Sequence, residues 1–209
     1  MNDLAARRGL RLSTLTDAGI ERVDGGWLDG WYSIPYPNAT GVWKVRYSNP
    51  TPGEYPKMRD DPGAKFHIYN PLGLGPGEPE VWFAEGEFDT LCLVEIGLPA
   101  LGIHGVQNIP EVDSDEHNTN DDLQGVDRSS RFQPAWKHLF LGSRVIVMLD
   151  NDEAGFKAGR KLAELLRGEV FDRWDDGSAN GGPYDDINDW YRGDKRGIRD
   201  AIERYRWSE

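Results

Sequence analysis

Two apolar runs that each end in carboxylates constrain this chain most. Val81-Trp82-Phe83-Ala84 leads into Glu85-Gly86-Glu87-Phe88-Asp89, and about sixty residues later Val145-Ile146-Val147-Met148-Leu149 leads into Asp150-Asn151-Asp152-Glu153-Ala154-Gly155. Unbroken apolar runs of this length suit strands of a parallel sheet covered on both faces. Open sheets of that kind bind ligands beyond the carboxyl ends of their strands. The two acidic signatures should therefore meet at one edge, where a divalent metal and a phosphate would be held.

The rest of the chain divides around these runs. Residues 3 to 18 read as a short helix pair around Gly9, with Ser13 or Thr14 as N-cap of the second helix. From Trp27 to Tyr69 aromatic and β-branched runs are split by Pro and Gly. Val42 to Tyr47 alternates, with Trp43, Val45 and Tyr47 on one face and Lys44 and Arg46 on the other, the pattern of a half-buried antiparallel strand. Residues 1–77 are thus expected to form a small α+β subdomain that ends at Gly75-Pro76-Gly77. Residues 78–209 change period. Strands are predicted over 81–84, near 100–103, over 144–149 and over 168–171, and helices over 88–96, 153–167 and 195–205. Ala158, Leu162, Leu165 and Leu166 supply one apolar stripe to the second of these helices. Strands alternating with helices mean a three-layered α/β fold with a parallel sheet. Residues 107–131 are too long and acidic for an ordinary connection and are expected to form a mobile loop.

A formal charge of −12 over 209 residues argues against a free-standing nucleic-acid binder, because phosphate contacts want Lys and Arg. The charge is uneven, however. Residues 111–127 carry seven acids and no base, whereas residues 41–70 carry five bases against three acids. A local site for a polyanion is compatible with that distribution. The single cysteine, Cys92, excludes an internal disulfide and a cysteine-rich zinc site, and reads as buried packing in the helix after Glu85. His67, His104, His117 and His138 lack metal-ligand spacing. No P-loop and no long apolar run occur, so no membrane association is expected and the cytosol fits best.

Each acidic cluster has a plain reading beside the chemical one. Glu85 ends a buried strand and needs a partner, of which a metal or substrate is the simplest. Asp89 falls in the first helical turn, where the helix dipole alone favours an acid. Asp150 and Asp152 alternate about a strand end, so both can reach one cation while Asn151 points away, and hard oxygen ligands suit Mg²⁺ or Mn²⁺. An Asp-rich turn that caps the helix at 153 would look the same. Asp185-Asp186-Ile187-Asn188-Asp189-Trp190 either completes the metal site or caps another short helix.

Taken in this order, the two acidic signatures resemble the Toprim domain shared by DnaG-type bacterial and phage primases, topoisomerases, small ribonucleases and OLD-type nucleases. Glu85-Gly-Glu-Phe-Asp89 looks like the family's glutamate motif and Asp150-Asn-Asp152 like its Asp-x-Asp motif. Asp186-Ile-Asn188-Asp189 resembles the third acidic element of primases. Arg8-Gly9-Leu10, Ala18-Gly19-Ile20, Ile34-Pro35-Tyr36-Pro37, Tyr47 and Pro56-Lys57-Met58 look like the lead-in to Toprim in primase catalytic cores, which topoisomerases and small ribonucleases lack. The resemblance implies a Rossmann-like Toprim sheet in which Glu85 is the metal ligand or general acid/base. It implies that Asp150 and Asp152 hold Mg²⁺ or Mn²⁺ with Asp89 and Asp186 in support. Lys57, Arg59 and Lys65 would contact template or nucleoside triphosphate.

The activity so implied is synthesis of short RNA primers on single-stranded DNA by a primase catalytic subunit or fragment, from a phage and working in the bacterial host's cytoplasm. Asp185 stands where primases often carry a base. The zinc-ribbon module and helicase-binding tail of typical primases are also missing, so the resemblance implies a separate zinc-binding template-recognition subunit and a replicative helicase as partners. A Toprim nuclease and a non-catalytic replication adaptor are the rival readings. An Asp-nucleophile phosphatase ranks last, because Glu153 and Ala154 follow the Asp-x-Asp.

Overall fold

In a computed structural model of the chain, residues 1–36, 44–51, 54, 56–60, 68–106, 109, 140–174 and 183–207 are described. The predicted Lys65 contact, the 107–131 loop apart from Ile109, and His67, His117 and His138 lie outside them. Two four-stranded sheets organise the molecule. The first is antiparallel, in the order β1 (Glu21–Arg22), β2 (Tyr32–Tyr36), β3 (Lys44–Ser48), β4 (Met58–Asp60). The second is parallel, in the order β6 (Ala100–Gly102), β5 (Glu80–Ala84), β7 (Arg144–Val147), β8 (Glu169–Val170). This is a mixed α/β fold in which a smaller antiparallel subdomain precedes a parallel sheet flanked by helices.

The parallel sheet shows why the apolar runs are unbroken. Trp82, Ala84, Ile146 and Met148 face one buried cluster, while Val81, Phe83, Val145, Val147 and Leu149 face another. Every second residue enters a different core, as the strand's period of two demands. On the second face lies α4 (Glu153–Leu166), which contributes Ala158, Leu162 and Leu166; Leu165 is only partly buried beside them. On the first face lie α3 (Glu87–Glu95), α5 (Ile187–Gly193) and α6 (Lys195–Arg206). The same cluster takes in Leu4 of α1 (Asn2–Arg8), Leu15 of α2 (Leu12–Asp17) and Tyr32, Ile34 and Tyr36 of β2. The antiparallel subdomain is therefore packed onto the α3 face of the parallel sheet.

Two local expectations need correction. Helix α2 opens at Leu12 after Arg11, so Ser13 and Thr14 lie inside it, and no side chain of its own caps it. The acceptor comes from α3 instead. Glu95 takes hydrogen bonds from the Arg11 amide at 2.7 Å and the Thr14 hydroxyl at 2.6 Å, a tertiary contact invisible in local sequence. The strand predicted over 144–149 stops pairing at Val147, although Met148 and Leu149 stay buried. Tyr47 is half-buried on β3, which pairs with β2 and β4; Trp43 lies outside the described residues.

Candidate active site at the acidic sheet edge

Strands β5 and β7 are parallel neighbours, with Phe83 opposite Val147. Their carboxyl ends therefore release Glu85 and Asp150 side by side. The Glu85 carboxylate accepts backbone hydrogen bonds from Asp150 and Val106, which fixes it across the mouth of the two strands. Burial is the first cause that lifts its pKa, and the charges of Asp152 and Asp186 add to it.

Helix α4 closes tightly on the end of β7. A methyl group added at Gly155 would sit 2.2 Å from the Asp150 carbonyl oxygen, so only glycine fits there. Asp152 is the N-cap of α4, accepting from the Gly155 amide at 2.6 Å. Asn151 is tied to the segment at 184–185. Its amide donates to the Asp185 carbonyl at 2.8 Å and its side chain to the Tyr184 carbonyl at 3.0 Å. These bonds draw the third acidic segment to the strand end. Asp186 then caps α5, accepting from the Asp189 amide at 2.6 Å.

Asp89 makes no cap for α3; its carboxylate accepts from the Asn188 amide of α5 at 3.0 Å. The capping readings of Asp152 and Asp186 are thus correct as far as they go, and Asp89 stands in the first turn of α3, where the helix dipole favours an acid, without capping it. Capping does not exhaust these groups. Burial first, then the charges of Asp89, Glu85, Asp186 and Asp152, drive the Asp150 pKa up to about 9. Asp89 is raised to about 7 by burial and then by Asp186. Five carboxylates from three segments repel one another here, and Asp150 Oδ1 is buried with no hydrogen-bond partner.

Among the described residues, no group of three or more His, Cys, Asp or Glu side chains is already arranged to hold a metal ion. The donor set nevertheless fits one. A buried carboxylate oxygen without a donor, surrounded by further hard oxygens of which only those of Asp89 and Asp186 feel a cation, Arg8, is what Mg²⁺ or Mn²⁺ would relieve.

Four cations converge beside the acids. Arg7, Arg8, Lys57 and Arg192 line a groove of about 270 Å³ with Ser48, Asn49 and Thr51. Arg8 is mostly buried, its guanidinium 4.1 Å over the Phe88 ring and 3.3 Å from Asn188 Oδ1. Burial lowers its pKa while Asp89 and Asp186 pull it back. Lys57 joins this groove, but Arg59 does not; it lies over the rings of Trp27 and Trp31. In the sequence Arg8 stands out only as part of a lead-in signature, and Arg7 and Arg192 do not stand out at all. The Arg7-Arg8 pair ending a short helix is the only local signal, and it does not announce a partner 180 residues away.

A second buried acid was also missed. One oxygen of Glu87 accepts from the Tyr36 hydroxyl, from Arg46 at 2.6 Å and from His104 at 3.2 Å. Burial pushes its pKa up, but the bond from His104, the charge of Arg46 and the bond from Tyr36 prevail and bring it down to about 2. His104 adopts a left-handed backbone (φ 62°), rare outside glycine, to place its ring there.

The parallel sheet with acids at its carboxyl edge, α3 and α4 behind them and an antiparallel lead-in define a Toprim-like architecture. No protein-family profile matches the chain. A curated relative, the Gene 57 protein of Mycobacterium phage D29, is 27% identical over 143 residues, covering 66% of this chain and 78% of that protein. Among solved structures, the chain is similar to one in the complex of bacteriophage T7 lagging-strand DNA polymerase interacting with primase domains of two gp4 subunits bound to an RNA/DNA hybrid and dTTP. That likeness has a TM-score of 0.57 and 20% identity, and it covers 95% of this chain and 89% of the other. At that identity the likeness is one of fold.

Proposed function

We propose that this protein is a metal-dependent nucleotidyltransferase of the primase kind, which joins ribonucleotides into short primers on single-stranded DNA. One observation carries the reading: the half-buried Asp150, its Oδ1 buried without a partner amid the charges of Glu85, Asp89, Asp152 and Asp186, beside a groove lined by four cations. Acids that want a divalent cation next to bases that want phosphate form the environment of a nucleoside triphosphate. The fold shared with a chain of the T7 primase–polymerase complex and the phage relative support replication as the setting.

In this scheme Asp150 and Asp152 hold Mg²⁺ or Mn²⁺, with Asp89 and Asp186 in support. When bound, the cation supplies neutralisation of the triphosphate and acidification of the attacking 3′-hydroxyl. Glu85, whose pKa burial raises above its ordinary value, would accept that proton. Arg7, Arg8, Lys57 and Arg192 orient the phosphate chain, so that positioning supplies much of the rate. A zinc-binding template-recognition subunit and a replicative helicase are the partners this reading calls for, in the cytoplasm of a bacterial host.

The test is incorporation of labelled ribonucleotides on single-stranded DNA with Mg²⁺ or Mn²⁺, wild type against Asp150→Ala. Short RNA products that vanish in the variant are expected. Cation-dependent shortening of the DNA without added nucleotides, abolished by the same change, would instead make the protein a Toprim nuclease.

A further inference from the structure

The aromatic turn between β1 and β2 lies outside the acidic site, and the proposed chemistry does not use it. Extended pairing carries the β1–β2 ladder on to Val23 and Trp31, whose backbones bond at 2.7 Å, and Gly30 closes onto Val23 at 2.9 Å. The loop between them is set by Gly25 and Gly26, at φ of 79° and 72°, a region that side-chain-bearing residues rarely adopt. The Asp29 carboxylate takes the Gly25 amide at 2.7 Å. Leu28 turns inward and is buried, and its neighbour Trp27 turns outward and is 70% exposed.

A rigid turn that displays its largest apolar side chain to water forgoes burial that a tryptophan would normally find. Arg59 of β4 reaches over both rings, its guanidinium carbon 5.1 Å from the Trp27 centroid and 5.6 Å from that of Trp31. Register puts Arg59 opposite Tyr47 of β3, and Tyr47 opposite Ser33 of β2. Alternation therefore sets Arg59, Tyr47 and Ser33 on the face opposite Tyr32, Ile34 and Tyr36, which are buried against the parallel sheet's α3 side. Two residues before Arg59, Lys57 belongs to the cationic groove that adjoins the acidic edge. The turn's acids Asp24 and Asp29 are also exposed, but Asp29 is spent on Gly25.

We infer that Trp27, with Arg59 shared between its ring and that of Trp31, is a stacking platform for a base of single-stranded nucleic acid. A π-face takes any base, and a guanidinium on the same rings adds a cation for the backbone, the combination used for single strands read without sequence preference. Holding the ring by a fixed turn and a cation lowers the ordering cost of binding. The inference rests on the reading of the acidic site as one that works on a single-stranded template, and it adds a surface that would hold that template.

Fluorescence anisotropy of a labelled oligothymidylate, at low salt because phosphate contacts weaken steeply with salt, tests it on the full chain. Trp27→Ala is expected to weaken binding about tenfold, Trp27→Phe to retain most of it, and Trp207→Ala, at a still more exposed tryptophan, to leave it unchanged. An abasic oligonucleotide should bind wild type and Trp27→Ala alike, which separates stacking from loss of fold. Wild-type binding that Trp27→Ala leaves intact, an equal loss on the abasic strand, or no binding by wild type would each overturn the platform. The two readings fail separately. Asp150-dependent primer synthesis with Trp27-independent binding overturns only the platform, whereas Trp27-dependent binding without synthesis overturns only the proposed chemistry.

Discussion

Two acids beside Glu85, the buried Glu87 and the half-buried Asp150, behave in opposite ways. Glu87 meets Arg46, His104 and Tyr36 and is held down to about 2. Asp150 meets Glu85, Asp89, Asp152 and Asp186 and is driven up to about 9. Burial costs both of them; only the company differs. A compensated buried acid joins parts of a structure, in this case the antiparallel subdomain to α3. An uncompensated one is a candidate for a place where something else binds.

The largest effect should come from breaking the compensated centre. Arg46→Gln leaves Glu87 buried with a neutral neighbour in place of its cation, and should lower unfolding free energy by about 3–5 kcal/mol in denaturant titration. A loss below about 1 kcal/mol would erase the contrast between the two acids. Next comes acid sensitivity. Because the folded pKa of Glu87 is depressed from 4.5 to about 2, its contribution is full above pH 4.5 and is lost as pH falls toward 2. Glu87→Gln should remove about 2–3 kcal/mol of the acid-induced loss in that window, read from melting curves against pH.

Asp150 carries the opposite sign. Its folded pKa is raised from 3.8 to about 9, so metal-free protein is favoured at low pH and loses stability as pH rises through that range. Asp150→Asn in chelator should therefore raise stability at neutral pH by about 2 kcal/mol while abolishing activity, the usual conflict between a site and its fold. The smallest effect belongs to the Arg144–Glu169 pair on the exposed sheet margin, 3.1 Å apart. Arg144→Gln should cost under about 1 kcal/mol and less in high salt.

The sequence carried the acidic edge because its signals are local. An apolar run fixes a strand, and the residues immediately after it fix what the strand end displays, so Glu85, Asp150 and Asp152 were legible from order alone. Asp186 was legible only as one of two alternatives, and both its cap and its charge turned out to matter. What stayed hidden is non-local. Arg8 meets Asn188, Tyr36 meets Glu87, and Glu95 caps a helix 81 residues earlier. Nothing in the spacing of these residues foretells such contacts, because they are set by how the antiparallel subdomain lands on α3. Arg59, expected to contact template or nucleoside triphosphate, is turned by its strand register toward the β1–β2 loop, over Trp27 and Trp31 and outside the groove that Lys57 lines.

Calorimetric titration of Mn²⁺ into wild type and Asp150→Asn, repeated in two buffers of different ionisation enthalpy, tests the contrast at its centre. Wild type should bind the cation and release protons as it does so, because raised carboxyl groups must ionise to become ligands, and Asp150→Asn should lose most of that binding. Wild type that takes up no Mn²⁺, or binding that survives Asp150→Asn without change, would contradict the assignment of the uncompensated acids to a cation.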